Sequence, residues 1–381
     1  MLDFEYKNPT KIIFGKNSLE KLGKEVINYG NKVLLVYGGN SLKVSGNYQK
    51  IINILEKHNI KWIDLGGNVK PEISVVSKGV ELCKKEQIDV VIGIGGGCCM
   101  DLAKAIARLA KFDNDVLTCL NDNTVIKANI SLPTIMIPTN PSSGSEYDQW
   151  CELIDSKTNK SYRIIKAYPT IALLCPQLSY SLDAKQTAYG ATTALIQLMS
   201  SYVAKVDNAS LANNMLEAMI KTMLDSIKIA ILDPTNYEAR SNIMYIAAFT
   251  TGGANSCGKY IEWSCSPIAS ILEKHAGLSY QEAMCLVFPY WLEEVYDSNI
   301  SLFKQMAINV WEISDDNISD KELAKLAVDK TAIFFNKIGI IKSLDNYTLD
   351  HFIEPINNLH EVKGMKYLDT EAIKRIISKC L

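Results

Sequence analysis

Three consecutive glycines, Gly95, Gly96 and Gly97, lie between an apolar run and a segment with helical spacing, in the stretch GIGGGCCMDLAKAIA over 93–107. Glycine adopts backbone angles closed to other residues and lets a ligand approach the main chain closely. The amides at the start of a helix favour phosphate because the helix dipole makes that end positive. This turn therefore predicts a site for the phosphates of a nucleotide.

Two further segments have related features. The stretch VYGGNS over 36–41 also places glycines at the end of a strand-like run, and IPTNPSSGSE over 137–146 adds small hydroxyl side chains after another such run. Thr139, Ser142 and Ser143 can donate to a phosphate or an amide without bulk. Each segment alone is compatible with a plain tight turn. Their joint occurrence at strand ends favours a dinucleotide site.

The first half of the chain alternates short apolar runs with helical segments. The pattern predicts strands over 32–38, 60–66, 88–97, 134–139 and 170–176, and helices over 41–58, 74–87 and 100–111. Strands separated by helices imply a parallel sheet with crossover connections. Ligands of such sheets bind beyond the carboxyl ends of the strands, where the glycine-bearing and hydroxyl-bearing segments fall.

The second half is different in pattern. From Ser179 onward helical periodicity dominates, for example over 213–232 and 321–340. We therefore predict an α/β domain with a Rossmann-like parallel sheet over 1–177 and an all-α domain over 178–381.

The composition argues against several classes of protein. The chain has 381 residues, a formal net charge of −2 and no basic block, which argues against a nucleic-acid partner. No apolar run reaches membrane-spanning length, and the first residues lack the features of a signal peptide. The ten cysteines contain no C-x-x-C pair. We expect free thiols and a cytoplasmic location.

The order and spacing of the motifs resemble the iron-containing alcohol dehydrogenase family over nearly the whole chain. YGGNSLKVSGNYQKI resembles the family's first glycine turn, GGGCCMDLAKAIA its G-G-G-S-x-x-D-x-A-K motif, and PTNPSSGSE its P-T-x-x-x-T-G-S-E loop. SLDAKQTAYG and DPTNYEARSNIMYIAAFTTGGA resemble the segments that open its helical domain. The resemblance implies that family's two-domain architecture, shared with dehydroquinate synthase, a small-molecule alcohol or aldehyde substrate, and a homodimer.

The resemblance also implies a cofactor site. The matching positions are Gly38, Gly39, Asn40 and Ser41 beside the adenosine ribose, Gly96, Gly97 and Cys98 at the pyrophosphate, Asp101 and Lys104 of the same motif, Thr139 and Ser143 near the nicotinamide, and Lys160 after a hairpin. Ser142, a small hydroxyl donor in the same loop, is a further candidate for cofactor binding. Cys98 replaces a serine of the family, and Asp148 replaces an asparagine, which is expected to put a charge near the cofactor. The first turn holds no carboxylate that would bind the ribose of NAD and repel a 2′-phosphate, and Lys43 is close by. We therefore expect NADP in preference to NAD.

The metal ligands of the family are not matched. The family holds a divalent ion with one aspartate and three histidines, the first two spaced D-x-x-x-H on one helix face. With the register fixed by a tryptophan and a proline, the four positions here hold Thr193, Gln197, Ser266 and Tyr280. Neutral amide and hydroxyl groups lack the charge or the imidazole that iron or zinc needs. We therefore expect no divalent metal.

Several interpretations of this altered site stay open. His275 is the one histidine near it, and its place near a helix end favours a solvated residue. Tyr280 could protonate a carbonyl oxygen as hydride arrives, or the polar side chains could only bond one another and fill the vacated space. The protein is then a metal-independent oxidoreductase, an inactive cofactor-binding homologue that acts as a sensor or partner subunit, or a lyase related to dehydroquinate synthase.

Overall fold

The computed structural model describes residues 1–68 and 70–381. Eight strands are present in the described residues: β1 (Lys11–Phe14), β2 (Lys32–Tyr37), β3 (Lys61–Leu65), β4 (Val90–Gly95), β5 (Thr134–Pro138), β6 (Cys151–Asp155), β7 (Lys160–Ile164) and β8 (Ile171–Leu174). Six of them form a parallel sheet in the order β1-β8-β5-β4-β2-β3, and β6 and β7 form a separate antiparallel hairpin. The predicted parallel sheet is confirmed.

The central strands are apolar on both faces. β2, β4 and β5 are buried along almost their whole length, as expected for strands covered by helices on both sides. The helices of this half are α1 (Leu22–Ile27), α2 (Ser41–Val44), α3 (Asn47–Lys57), α4 (Ile73–Glu86), α5 (Gly97–Leu109), α6 (Val116–Asn121) and α7 (Asn123–Ile126).

Two helices differ from their sequence-based prediction. The segment predicted as one helix over 41–58 is divided into α2 and α3, because Gly46 between them has φ +74°, a left-handed conformation that ends a helix. The helix predicted to begin at 100 begins at Gly97. The glycines after β4 are therefore partly the first turn of α5, which places helix amides in the turn itself.

The rest of the chain is helical, as predicted. Its helices are α8 (Ala184–Val203), α9 (Ser210–Leu232), α10 (Tyr237–Gly252), α11 (Cys265–Ala276), α12 (Tyr280–Val295), α13 (Ile300–Gln305), α14 (Asp320–Lys337), α15 (Ile353–Leu359) and α16 (Thr370–Lys379). Reciprocal capping boxes start α8, α12 and α14, so the helix amides at these ends are satisfied by side chains.

The backbone divides into two compact units. The sheet unit comprises Lys7–Leu182 and Pro234–Gly253, and the helical unit comprises Met1–Tyr6, Asp183–Asp233 and Ala254–Leu381. Within the sheet unit, Met244 and Ala248 of α10 pack against Ala172 and Leu174 of β8. The sequence-based division at 177/178 places α10 with the helices and Met1–Tyr6 with the sheet.

Candidate functional site

The second glycine turn, Gly95–Cys98, joins β4 to α5. Gly96 is the N-cap residue, and no side chain of the described residues caps this helix. A Cβ added at Gly97 would lie 2.6 Å from the Ser143 Oγ, so only glycine lets the loop after β5 come this close. Next to the turn, the Asn140 Oδ1 is buried and has no hydrogen-bond partner in the described part of the chain. An uncapped helix start beside an unused acceptor suits a phosphate-bearing ligand with hydroxyl groups.

The first glycine turn, Gly38–Ser41, lies beside the second. β2 and β4 are parallel neighbours, with Tyr37 opposite Ile94, so both turns leave the same edge of the sheet. A Cβ at Gly39 would meet no atom of the described residues within 4 Å. Asn40 and Ser41 are exposed at the start of α2. The turn therefore leaves open space where the resemblance places the adenosine ribose.

The serine loop, Thr139–Glu146, is the third segment at this edge. β5 neighbours β4, and the Thr139 amide donates to the Gly95 carbonyl at 2.9 Å. The Ser143 Oγ accepts from the Ser145 amide at 3.2 Å, and the Ser143 carbonyl accepts from the Thr251 hydroxyl at 3.3 Å. Ser142 is buried. The structure thus brings together the three segments that the sequence singled out.

A charge cluster of Asp101, Lys104 and Asp148 lies behind these turns, with Lys104 and Asp148 buried and Asp101 partly buried. The Lys104 Nζ donates to Asp148 Oδ1 at 2.8 Å, to the Ser145 carbonyl at 3.0 Å and to the Trp150 carbonyl, and it lies 3.4 Å from Asp101 Oδ1. Burial lowers the pKa of Lys104, but Asp148 and Asp101 outweigh it, and the net shift is upward. The lysine therefore stays charged.

Asp101 fastens the serine loop and the hairpin to α5. Its Oδ1 accepts from the Ser145 hydroxyl at 2.5 Å, and its Oδ2 accepts from the Glu152 amide at 3.1 Å. Burial raises the pKa of Asp101 to about 6, although Lys104 opposes the shift. The D-x-A-K spacing, which puts both residues one turn apart on α5, is the sequence signal for this contact.

Asp148, which stands where the family has asparagine, is held by several hydrogen-bond donors. It is buried, and besides Lys104 it accepts from the Trp150 amide at 3.0 Å and the Thr251 hydroxyl at 3.1 Å. All of these donors belong to the sheet unit. Asp148 therefore acts as an anchor for the loop that carries Ser143.

Glu146 lies at the end of the serine loop, and the sequence analysis did not single it out. Its side chain is fully buried, and neither carboxyl oxygen has a hydrogen-bond partner among residues 1–68 and 70–381. Burial raises the pKa of Glu146 to about 7. At neutral pH the carboxyl group is therefore protonated in a large fraction of the molecules.

Two other predicted residues, Lys160 and Cys98, lie in different places, the first on the hairpin and the second in a glycine turn. Lys160 is exposed at the far end of the hairpin, where its Nζ contacts the Asn121 Oδ1 at 3.3 Å and the Tyr162 ring at 4.5 Å. The structure records no contact between Lys160 and either glycine turn in the described residues. Cys98 is exposed within the second glycine turn, whereas Cys99 is buried.

Lys43 lies among aromatic side chains. Its Nζ is 5.6 Å from the centre of the Tyr37 ring and 5.0 Å from that of the Tyr48 ring. The Tyr48 hydroxyl donates to Asp64 at 2.8 Å, and burial together with Asp64 raises the pKa of Tyr48 to about 12. Asp64 is a carboxylate on β3 that the sequence analysis of this region missed.

The family metal positions, meaning the four residues that the motif alignment assigns to the family's metal ligands, lie on three helices of the helical unit. Thr193 and Gln197 are buried one turn apart on α8, Ser266 is near the start of α11, and Tyr280 begins α12, which packs against both other helices. The Thr193 hydroxyl donates to the carbonyl of Tyr189 in its own helix at 2.8 Å. The Gln197 Oε1 is buried without a partner in the described chain.

These side chains do not fit the iron or zinc ion of the family. None of them supplies a carboxylate or an imidazole, the donors that such ions require. No group of three or more His, Cys, Asp and Glu residues in the described ranges is arranged to hold a metal ion. His275 lies in the last turn of α11, where its carbonyl contacts the His351 Nε2 at 3.0 Å.

Comparison with known proteins identifies the family. Residues 9–176 match the family model of the iron-containing alcohol dehydrogenases, and residues 187–363 match that of the C-terminal part of the Fe-containing alcohol dehydrogenase family. The chain therefore belongs to the iron-containing alcohol dehydrogenase family, whose members are oxidoreductases acting on alcohols and aldehydes with NAD(P)H. This confirms the resemblance that the motifs indicated.

Individual relatives cover almost the whole chain. NADH-dependent butanol dehydrogenase A of Clostridium acetobutylicum is 33% identical over 348 residues, which span 90% of this chain and 89% of the relative. NADPH-dependent aldehyde reductase YqhD of Escherichia coli is 27% identical over 357 residues, 92% and 90% of the two chains. The crystal structure of NADH-dependent butanol dehydrogenase A from Thermotoga maritima has a TM-score of 0.91, 27% identity and coverage of 100% and 99%.

None of the helices in residues 1–68 and 70–381 combines the length and the apolar character needed to cross a bilayer.

Proposed function

We propose that this protein is a metal-independent oxidoreductase that interconverts a small aldehyde and its alcohol with NADP. The observation that carries the proposal is the contrast between the two ligand regions. The glycine turns and the uncapped start of α5 support binding of a dinucleotide, whereas the four family metal positions hold Thr193, Gln197, Ser266 and Tyr280.

In this proposal the predicted domain 1–177 holds the cofactor, which supplies the hydride when bound. The main chain of Gly96 and Gly97, with Cys98, binds the pyrophosphate at the start of α5. Thr139, Ser142 and Ser143 supply hydroxyl groups to the nicotinamide end. Gly38, Gly39, Asn40 and Ser41 line the adenosine end, where the open space beside Gly39 accommodates a ribose.

The reacting oxygen of the substrate needs a replacement for the family's metal ion. A phenol can donate a proton to a carbonyl oxygen as negative charge develops on it. We assign this role to Tyr280, which is 37% exposed at the start of α12. The Gln197 amide, with its unused buried oxygen, accepts a hydrogen bond from the substrate hydroxyl or from water. Loss of a metal ion's charge costs several kcal/mol of transition-state stabilisation, so we expect slow turnover.

NADP is preferred over NAD in this proposal because Lys43 is close to the first glycine turn and no carboxylate stands within it. Support from relatives is divided, since the butanol dehydrogenases are named NADH-dependent and the aldehyde reductase NADPH-dependent. Titration of the protein with each reduced cofactor, followed by nicotinamide fluorescence, tests this. Tighter binding of NADH would contradict the assignment.

The main experiment measures NADPH oxidation over a panel of small aldehydes, together with the metal content of the purified protein. We expect turnover that is unchanged by EDTA and by added Fe²⁺ or Zn²⁺, and lost in the Tyr280→Phe variant. Turnover that needs a metal would refute metal independence. Cofactor binding without any turnover would favour the inactive homologue.

The homodimer and the cytoplasmic location stay predictions, which sedimentation and cell fractionation can test.

A further inference from the structure

Lys259 lies in the loop between α10 and α11, in the helical unit. The residue is half-buried, and its amide donates to the Ser256 carbonyl at 3.0 Å. Its Nζ donates to the Tyr202 carbonyl in the last turn of α8 at 2.8 Å. The same Nζ donates to the Asn213 Oδ1 of α9 at 2.6 Å. The amine is therefore held in one place by acceptors from two helices.

Both of these acceptors are neutral. Glu217 follows Asn213 by one turn of α9, but its Oε1 accepts from the Tyr202 hydroxyl at 2.7 Å. The Asn309 Nδ2 also donates to this carboxylate oxygen, at 3.1 Å. In residues 1–68 and 70–381 the structure gives Lys259 no carboxylate partner. The amine is therefore partly removed from water without an anion to balance its charge.

The neutral form of the amine suits this environment. An ammonium group has three N–H donors, whereas a neutral amine has two donors and one lone pair, so the two acceptors match the neutral form. The centre of the Tyr202 ring is 5.8 Å from the Nζ, a limiting distance at which a ring favours the charge only weakly. Burial lowers the pKa of Lys259 to about 8. The lone pair is therefore available far more often than in an ordinary lysine.

Further titratable groups lie on the same loop and on the first residues of the chain. Burial raises the pKa of Cys257 and that of Tyr260, so both side chains are neutral. The Met1 amino group donates to the Asp207 carbonyl. None of these groups contributes to the pKa shift of Lys259, for which burial is the cause.

We propose that Lys259 is a nucleophilic amine that forms an imine with small aldehydes. The Nζ lone pair attacks the carbonyl carbon and the carbonyl oxygen is protonated. The resulting carbinolamine loses this oxygen as water when the C=N bond forms, and no oxidant or reductant is needed. The protonated imine keeps one N–H, which stays with the Asn213 Oδ1. The choice of an aldehyde as the electrophile rests on the proposed function, whereas the reactivity of the amine does not.

The test treats the full chain with propanal and sodium cyanoborohydride, without NADPH, and follows propylation of each lysine by mass spectrometry. Lys304 is the internal control. It is also half-buried in the helical unit, but its Nζ contacts Asp320 at 2.7 Å, which raises the pKa of Lys304. We expect Lys259 to react at least about tenfold faster at pH 7, because far more of its amine is neutral. Its rate should level off above about pH 8, whereas the rate at Lys304 keeps rising. Equal rates at the two lysines would overturn the proposal.

The variant Asn213→Asp replaces a neutral acceptor of Lys259 by a carboxylate of the same shape. A carboxylate beside the Nζ favours the ammonium form, so the rate at Lys259 should fall at least about tenfold at pH 7 while that at Lys304 is unchanged. Asn214→Asp, at the neighbouring exposed position of α9, is the matched control and should leave both rates unchanged. Equal effects of the two variants would contradict the proposal. If Asn213→Asp does not fold, the comparison of Lys259 with Lys304 in the unaltered protein decides.

The same experiment separates this proposal from the proposed function. If Lys259 is propylated as expected but NADPH reduces no aldehyde, the nucleophilic amine stands and the proposed activity fails. If aldehydes are reduced by NADPH and Lys259 reacts no faster than Lys304, the activity stands and the nucleophilic amine fails.

Discussion

The second glycine turn and the family metal positions differ in electrostatic character. Behind the turn, Lys104 and Asp148 are buried and Asp101 is partly buried, and Lys104 reaches two carboxylates and two carbonyl groups. At the metal positions the side chains are neutral, and the Gln197 Oε1 has no partner in the described chain. The first region holds loops in place through its charges, whereas the second contains no charge to be compensated.

This difference shows how the same scaffold can tolerate change in one region and not in another. Removal of one member of a buried charge cluster leaves an uncompensated charge, which is strongly destabilising. Substitution of a neutral polar side chain at most removes a hydrogen bond or leaves one partner unsatisfied, which costs about 1–3 kcal/mol. We therefore expect the metal positions to accept substitutions that the charge cluster does not.

Restoration of the family ligands is the strongest way to test the comparison. The variant Thr193→Asp, Gln197→His, Ser266→His and Tyr280→His places one carboxylate and three imidazoles on α8, α11 and α12. We expect it to bind Zn²⁺ with micromolar affinity or better, about 8 kcal/mol, as measured by calorimetry and metal analysis. The control carries alanine at the same positions and should bind none. Equally tight zinc binding by the unaltered protein would contradict the comparison.

Disruption of the charge cluster should have the next largest effect. Lys104→Met leaves Asp101 and Asp148 without their cation, and we expect a loss of about 3–5 kcal/mol in the free energy of unfolding. Urea denaturation measures this loss. Lys228→Met is the matched control, because this lysine pairs with Asp225 at the surface and such pairs contribute about 1 kcal/mol or less. Equal losses in the two variants would show that the cluster contributes no more to the free energy of unfolding than a surface ion pair does.

Glu146 allows a test of pH dependence. Its pKa is raised from 4.5 to about 7, so the folded state binds a proton more tightly than the unfolded state. Its contribution to stability is therefore fully present below about pH 4.5 and is lost as the pH rises through about 7. Relative to the wild type, Glu146→Gln should gain up to about 3 kcal/mol between pH 5 and pH 8, as measured by denaturation at each pH.

A carboxylate with the opposite shift serves as the control for that experiment. Lys32 contacts Glu86 at 2.9 Å and lowers the pKa of Glu86. Glu86→Gln should therefore lose stability relative to the wild type as the pH rises. Parallel behaviour of the two variants would refute the assignment of the pH effect to Glu146.

The smallest expected effect concerns the exposed thiol of the second glycine turn. A bound dinucleotide would cover Cys98, so NADPH at ten times its Kd should slow alkylation by N-ethylmaleimide about tenfold. Mass spectrometry of the labelled peptide measures the rate. Cys257, a half-buried thiol of the helical unit, is the internal control and should react at the same rate with or without NADPH. Unprotected labelling of Cys98 would remove the second glycine turn from the cofactor site.

The strands at the centre of the sheet could be predicted because buried parallel strands consist of unbroken apolar runs, as β2 and β4 do. The contact between Lys104 and Asp148 could not, since 44 residues separate them and only the packing of the serine loop on α5 joins them. The packing of α10 against β8 could not be predicted either. Helical periodicity shows that a segment is helical but not which layer it covers.

For Lys160, the sequence motif could not predict the direction in which the side chain points. A match to a motif places a residue in sequence but does not give the direction of its side chain. In β7 the direction follows from the hairpin register, where Lys160 lies opposite Asp155. That register depends on the length of the connecting turn, which the motif does not specify.

The way the chain alternates between its two units has a consequence for protein engineering. The backbone passes from one unit to the other after Tyr6, Leu182, Asp233 and Gly253. A fragment that ends at Leu182 would lack α10 and leave Ala172 and Leu174 of β8 uncovered. Exchange of one complete unit with a homologue would therefore require four junctions, and a single-crossover chimera would combine incompatible cores.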